Sequence, residues 1–594
     1  MIEQEKHNES SGEDREVWQA ILEPHLAKHS ETPREGMLYP FLALFVLAVA
    51  TALRLHLANQ LGLGDSEAYY YAWAQRLDWS FYDHPPGTAV LIWLGTRIMG
   101  DNPLGVRFGS LVFITGMSLL VYLMSASLFR SRRVGFWALF LFSATPVFFV
   151  GGFAAAPDTA FGFFWLLSAL MLHQAMQRES RGWLIATGIP VGLGLLFKYF
   201  MVLFWPSALL YLLFSRSRRL LFTDAWIIAI LVSLVFFLPV LYWNAQHDWA
   251  SFIYHLSARH HDAAYSGGRF LQFLLGQLVY LSPVVAVALW FCVIRLVLGQ
   301  AGEDGRDNRL FFWISVPTLA FFFTLGAWTP ETEPHWTLAG YLLLFPVLAR
   351  WVMGLSTERA GTLASTALIG PFALWFRPRL KHAVLTWLLG STLLINLLLC
   401  LHMSTDVFLR LIPTDLYRPR YDITNELYGW EEVGLVIRQN LEELGPSAFV
   451  ASYHYTMCGQ LDFALKGDTE LACLSPKTDA FDFFDPPAIE GRNGIFVTDN
   501  RFAMDPKNLI LCEGGLAKLR DVSILRGGMI VRRFHLWRCY NYQGQLAPGD
   551  PVNEAGHPPS DTEEALEPLV EPLHKNQDVP PSTTAKPTPE VMEL

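Results

Sequence analysis

The chain has 594 residues, of which 52% are hydrophobic and only 16% charged, with a formal net charge of −10. Soluble globular proteins carry about 25% charged residues, so the composition excludes one and points to a multi-pass membrane protein. Its 20 Trp and 43 Phe suit a surface that meets lipid. Most of the net negative charge lies after residue 545, and no basic run suggests nucleic acid.

Residues 1–36 are polar and lack the charged, apolar and cleavage regions of a signal peptide. They read as a cytoplasmic segment, with a short amphipathic helix around Val17–Leu22 ended by Pro24. Residues 37–403 read as the membrane domain. About 20 apolar residues cross a bilayer, and candidate spans fall near 38–58, 105–128, 134–152, 158–176, 183–197, 200–214, 222–242, 271–298, 309–327, 336–353 and 384–403. The apolar segment 363–376 is short and reads as an interfacial helix, a re-entrant helix or half of an extra hairpin. Basic residues gather at 130–133, Arg178/Arg181, 216–219, Arg306/Arg309 and 350–382. With the N-terminus inside, those eleven candidate spans put every basic cluster on the cytoplasmic side. The same topology sends the other polar segments to the opposite, outer face: 59–104, 151–158, Lys198-Tyr199, 243–269 and 329–336.

The outer loop 59–104 holds the most unusual stretch, residues 64–87. Asp65 suits a helix N-cap. Tyr69, Trp73 and Arg76 follow on nearly one face. Pro85 and Pro86 stop any helix and extend the backbone at His84. The stretch displays Asp65, Glu67, Asp83 and His84, either as a site or as a capped interfacial helix with an aromatic belt.

Further on, Pro157 at N1 and Asp158 at N2 favour a helix start, which explains Asp158 as well as a second carboxylate facing Asp65 does. Lys198 interrupts an apolar run near the outer face, where it either snorkels or binds an anion. Arg107 suits either a structural ion pair or bidentate phosphate binding. Glu331, Glu333, His335 and Trp336 share a short turn, and Arg259, His260 and His261 lie on a loop that reads as a lid or as a solvated connection. Paired carboxylates leave room for a divalent metal ion, but no ligand set specifies one. No Walker motif, dinucleotide fingerprint, GxSxG or HExxH is present.

Residues 404–545 have ordinary soluble composition. A helical pattern covers 431–444, and strand-like runs cover 447–453, 494–498 and 528–534, which reads as a small α/β domain on the outer side. Its cysteines, Cys458, Cys473, Cys512 and Cys539, allow two bridges in three connectivities in an oxidising compartment, or remain free buried thiols. Residues 546–594 are Pro-rich and acidic and read as a disordered tail.

Six short motifs then carry a resemblance: G-D-S-E-A-Y-Y (64–70), Y-D-H-P-P-G (82–87), N-P-L-G-V-R-F-G-S (102–110), A-A-P-D-T (155–159), F-K-Y (197–199) and E-P-H-W (333–336). With these, residues 38–350 resemble the bacterial dolichyl-phosphate-mannose–protein mannosyltransferase-like family, which includes the lipid A aminoarabinose transferase. D-I-T-N-E-L-Y-G-W (422–430) is similar to the segment that opens the soluble domain in a subgroup of that family. The resemblance implies an α-helical multi-pass membrane protein of the type C glycosyltransferase fold, with about 11–13 transmembrane helices and a small C-terminal α/β periplasmic domain. It implies a bacterial inner-membrane enzyme with a periplasmic active site. The enzyme would move a sugar, with inversion, from a polyprenyl-phosphate carrier to lipid A, another envelope glycan or a protein. Membrane lipids surround it, and nucleic acid plays no part. Asp65 is implied as the catalytic carboxylate or its close partner, and Asp158 as the second acid, with Glu67 assisting. A family lysine that serves the donor phosphate is His84 here, which leaves Lys198 or Arg107 to share that role. Tyr69, Tyr70, Trp73, Tyr82, Asp83, Tyr199, Glu333, His335 and Trp336 would shape the sugar and acceptor pocket. The rival expectation is a flippase of lipid-linked sugars, which would need ionisable residues along the whole membrane path.

Overall fold

The structure, a computed structural model, describes residues 33–545 apart from 216, 258, 260–262, 300–304, 355–377 and 503. The expected helix at 17–22, the segment 363–376, His260, His261 and the tail 546–594 lie outside the described residues.

The apolar runs fold as helices. In chain order they are α1 (Pro33–Gln60), α2 (Asp65–Gln75), α3 (Gly87–Met99), α4 (Pro103–Leu128), α5 (Arg132–Ala144), α6 (Pro157–Gln177), α7 (Arg181–Leu195), α8 (Phe204–Leu213), α9 (Asp224–Gln246), α10 (Ala250–Leu256), α11 (Gly267–Leu281), α12 (Pro283–Val297), α13 (Gly305–Trp328), α14 (Leu344–Gly354) and α15 (Pro378–Ser404). Among the described residues, six helices (α1, α4, α6, α9, α13 and α15) are long and apolar enough to cross a membrane, and three bent pairs raise this to nine. Every expected span lies on helix, but the eleven expected crossings are not all straight rods. Arg132–Ala144 turns by 82° into Pro146–Phe153, Gly267–Leu281 by 113° into Pro283–Val297, and Pro334–Leu342 by 59° into Leu344–Met353.

The first break has a clear cause. Pro146 cannot donate to a helix ladder, so nearby carbonyls need other donors, and lipid offers none. Arg54 of α1, fully buried, donates to the carbonyls of Ser143, Phe148 and Phe149 at 3.5, 3.1 and 3.3 Å. Asn396 of α15 donates to Ala144 at 2.5 Å. In the second bend, Ser282 sits at φ 70° immediately before Pro283.

The bundle has two chemically distinct ends. At one, Arg132 donates to the Gly36 carbonyl, Arg181 pairs with Asp224, Arg309 donates to Phe214 at 3.2 Å, and the Arg350 guanidinium lies 4.7 Å from the Phe129 ring centre. Among the described residues, these arginines from the basic clusters thus lie at one end of the bundle. The opposite end carries α2, α3 and the C-terminal domain.

That domain is α/β, as its periodicities predict. Helices α16 (Trp430–Leu444) and α17 (Tyr455–Leu465) accompany β1 (Phe449–Ser452), β2 (Leu471–Cys473), β3 (Gly494–Asp499), β4 (Ile510–Cys512), β5 (Leu516–Arg526), β6 (Met529–Cys539) and β7 (Tyr542–Gln545). The main sheet has the order β2-β1-β3-β6-β5, with β1 parallel to β2 and β3 and the β5–β6 hairpin antiparallel. Val433, Ile437, Val450, Leu461, Val497 and Phe534 fill the core between α16, α17 and the sheet. All four domain cysteines are paired, as Cys458–Cys473 and Cys512–Cys539.

Candidate functional site

The polar end is built on α2. Asp65 was expected as its N-cap, but Gly64 holds that position and Asp65 opens the helix. The cap bond comes instead from Glu67, whose carboxylate accepts the Gly64 N–H at 2.9 Å. Arg107 of α4 grips the same carboxylate twice, at 2.8 and 2.6 Å, and the Ala155 N–H adds a fourth bond at 2.8 Å. Arg107 and those amides hold Glu67 below the ordinary carboxylate range, against its burial. The rest of Arg107 caps α1, donating to the carbonyls of Ala58, Leu61 and Gly62 at 3.0, 2.7 and 2.6 Å. All five guanidinium N–H groups are thus used. Arg107 and Glu67 form a buried brace, and Arg107 has no donor left for a phosphate.

Asp65 faces the C-terminal domain. Its carboxylate accepts from Arg501 Nη1 at 2.8 Å and from Gln460 Nε2 at 3.0 Å. Its backbone N–H donates to Glu426 at 3.3 Å. Arg501 also pairs with Asp499 at 3.0 Å, and Arg532 with Asp499 at 2.9 Å. Burial and the neighbouring Asp65 charge push Glu426 up to about 7. Two further contacts tie α2 to this domain: Arg76 to Asp462 at 2.8 Å, and the Ala480 N–H to the Tyr69 hydroxyl at 2.7 Å. Gly459 permits the approach of α17, because a Cβ there would lie 2.7 Å from the Tyr69 nitrogen. Gln460, Arg501, Asp499 and Arg532 were missed in the sequence. Glu426 sits in the quoted 422–430 motif, but no local pattern marks the others.

A second cluster gathers at the helix ends. Asp158 stands in the first turn of α6, with Pro157 before it, as expected. Lys198 lies in extended backbone between α7 and a short 3-10 turn and donates to Asp158 at 2.7 Å. His335 Nε2 is 3.9 Å from the other Asp158 oxygen. Gly87 lets the Pro85-Pro86 turn reach this point: its N–H donates to Leu196 at 2.7 Å, and a Cβ would lie 2.6 Å from the same carbonyl. His84 then stands beside Tyr70 and His255, with ring centres 6.0 and 6.2 Å away. Burial, then His255 and Lys198, hold its imidazole well below its usual range, so it is neutral. Its Nδ1 is buried with no hydrogen-bond partner among the described residues.

Asp83 completes this cluster. It accepts from the Tyr69 hydroxyl at 2.6 Å, and its backbone carbonyl lies 2.8 Å from His255 Nε2. Burial pushes the Asp83 carboxyl up to about 6. Burial, and then the Asp83 and Asp158 charges, push the Tyr70 hydroxyl well up. Aromatic walls surround the group. Tyr82 lies against Tyr254 and Phe483, Trp73 stacks on Phe81, and Tyr199 bonds Ser251 at 2.8 Å. Trp336 packs on Phe200 and carries the Arg259 guanidinium 4.6 Å from its ring centre. Glu333 is exposed at the rim. The expected acids therefore take different partners: Asp65 the C-terminal domain, Asp158 the lysine. Among the described residues, no group of three or more His, Cys, Asp or Glu is arranged to hold a metal ion.

Fold and site together define a multi-pass helical membrane protein whose C-terminal α/β domain covers a polar, aromatic end of the bundle. The family described as dolichyl-phosphate-mannose-protein mannosyltransferase matches residues 83–243. The lipid A galacturonosyltransferase RgtD of Rhizobium johnstonii is 28% identical over 303 residues, 50% of this chain and 62% of that one. An undecaprenyl phosphate-alpha-4-amino-4-deoxy-L-arabinose arabinosyl transferase of Pseudomonas aeruginosa is 31% identical over 259 residues, 41% of this chain and 45% of that one. The matches thus span about half the length of these curated relatives. Crystalline ArnT from Cupriavidus metallidurans, bound to undecaprenyl phosphate, shares the fold with a TM-score of 0.54 at 13% identity, covering 84% of this chain and 97% of that one. Residues 83–243 thus match the dolichyl-phosphate-mannose-protein mannosyltransferase model, and the chain as a whole is similar in fold to ArnT.

Proposed function

We propose that the chain transfers a sugar from a polyprenyl-phosphate carrier to an acceptor on the extracytoplasmic side of a bacterial inner membrane, with lipid A the leading acceptor. The observation that carries this reading is the pair of buried Lys198 and half-buried Asp158 at the polar end, with Asp83 held by Tyr69 in the same aromatic surroundings. RgtD and the arabinosyl transferase, named for transfer to lipid A and for an undecaprenyl-phosphate sugar, support the substrate class. Neither is a transporter, and the flippase alternative draws no support from them.

Each role follows from what a side chain has left to offer. Lys198 spends one bond on Asp158 and keeps further N–H groups for a donor phosphate. Arg259, on the face of Trp336 and 3.4 Å from the Glu331 carboxylate, adds a second, partly paired cation. Neutral His84 presents a ring nitrogen at the same place. As the anomeric bond breaks, charge grows on the phosphate oxygen, and preset cations stabilise it. The acceptor hydroxyl needs a base whose pKa approaches the working pH. Asp83 meets that need, because burial raises it and Tyr69 orients it. Asp65, committed to Arg501 and Gln460, instead fixes the C-terminal domain over the pocket.

The test is transfer by the purified protein from a polyprenyl-phosphate sugar to lipid A, comparing wild type with Asp83→Asn. Losing a general base costs about 10²–10⁴-fold in rate. A fully active, folded Asp83→Asn protein removes Asp83 from the chemistry. A wild type that moves the lipid-sugar across a bilayer without transferring it overturns the whole reading.

A further inference from the structure

The segment joining α15 to the C-terminal domain has the surface of a membrane-seeking element, not of a solvated linker. Leu411, Leu416, Tyr421 and Ile423 are 73%, 69%, 79% and 74% exposed. Arg410, Arg418 and Arg420 are exposed among them, against one exposed acid, Asp415. The segment is not loose. Leu409 is buried, and Arg526 of β5 donates to Thr424 and Asn425 at 3.0 and 2.7 Å and to the His402 carbonyl at 2.8 Å. His402 Nε2 lies 3.0 Å from Asp422, and the Tyr428 hydroxyl donates to the Met403 carbonyl. These bonds hold the segment against the last turn of α15, with its apolar side chains turned outward. The exposed apolar face of α15 itself, with Trp387, Leu394 and Leu397 at 71%, 54% and 55%, continues directly into it.

We propose that residues 407–423 are an interfacial anchor seated in the leaflet around α15, with anionic phospholipid as its occupant. The apolar side chains enter the boundary of the acyl layer, and the arginines meet headgroup phosphates. Tyr421 takes the interfacial depth that suits its amphipathic ring. Continuity with a lipid-facing span and the excess of positive charge select a lipid surface over a protein partner. The anchor sets the height of the C-terminal domain. The same chain runs on to Glu426, which accepts from the Asp65 N–H, and to Leu427, whose carbonyl a Cβ at Gly62 would meet at 2.2 Å. Height at the leaflet is therefore passed to α2.

The test reads contact, not activity, so it stands apart from the transfer assay. A photo-crosslinking amino acid replaces Leu416 or Tyr421 in the full chain, reconstituted in phosphatidylcholine with phosphatidylglycerol and no lipid A. Leu394 on α15 is the lipid-facing control and Leu511, exposed on β4, the solvent control. Mass spectrometry is expected to find phospholipid adducts at 416, 421 and 394 and none at 511. Replacing Arg410, Arg418 and Arg420 with Gln lowers the phosphatidylglycerol share of the adducts at least twofold. No adduct at 416 or 421 while 394 reacts overturns the proposal. So does an adduct that forms only once lipid A is added, which makes the segment an acceptor port.

Discussion

Arg107 and Lys198 are both buried cations at the polar end, yet only one has anything left to give. Arg107 spends every N–H on Glu67 and on the carbonyls that end α1, while Lys198 gives one bond to Asp158. Removing one partner of a buried pair costs about 3–5 kcal/mol. Arg107→Ala is therefore expected to unfold the polar end, seen as a drop of many degrees in Tm with lost expression. Lys198→Ala is expected to stay folded and to raise KM for the lipid-phosphate donor at least tenfold, with Lys198→Arg recovering part of it. Equal KM values for wild type and Lys198→Ala would remove the lysine from donor binding. The Asp83 carboxyl, pushed up to about 6 by burial, gives a pH profile of known sign. A base works only deprotonated, so kcat/KM should rise tenfold per unit below pH 6 and level above it. A flat profile from pH 5 to 7 would assign the base elsewhere.

At the scale of elements, two contacts place these residues. The Pro85-Pro86 turn touches α7 through Gly87, where no Cβ fits beside the Leu196 carbonyl. Gly87→Ala is expected to push the turn off α7 and cut transfer at least tenfold with the fold retained. Wild-type activity in that variant would show that the turn tolerates displacement. Helix α17 carries Gln460 to Asp65 and is tied to β2 by Cys458–Cys473, a bridge spanning 15 residues. Such a loop closure is worth about 3 kcal/mol. Cys458→Ala with Cys473→Ala should lower Tm and speed hydrogen exchange in both α17 and α2. Faster exchange confined to α17 would mean that the two helices do not share a fate. This helix was not legible beforehand, because Y-T-M-C-G-Q-L carries no clean apolar period and includes a glycine. Helix α16, whose acids and apolar residues alternate with helical period, was.

For the whole molecule, the sequence showed which end would hold polar groups, since arginines and carboxylates segregate along the chain. It showed the helical runs, but not that Thr145–Pro146 and Ser282–Pro283 bend them, because the donors that make the first bend tolerable, Arg54 and Asn396, are 89 and 252 residues from the carbonyls they serve. It left the partners of the acids open. Asp158 reads either as a helix start or as a carboxylate facing Asp65, and in the structure Lys198 takes Asp158 while Arg501, 436 residues away in the chain, takes Asp65. Contacts of that separation leave no local trace. They tie the C-terminal domain to α2 and the candidate site. The most direct measurement of this account is mass spectrometry of lipids after the purified protein acts on a polyprenyl-phosphate sugar and lipid A, for wild type, Asp83→Asn and Arg501→Ala. The account predicts a one-sugar mass gain on lipid A in wild type, none above background in Asp83→Asn, and a reduced gain in Arg501→Ala that a higher acceptor concentration does not restore. A full mass gain in Asp83→Asn, or no gain in wild type with both substrates verified, would contradict it.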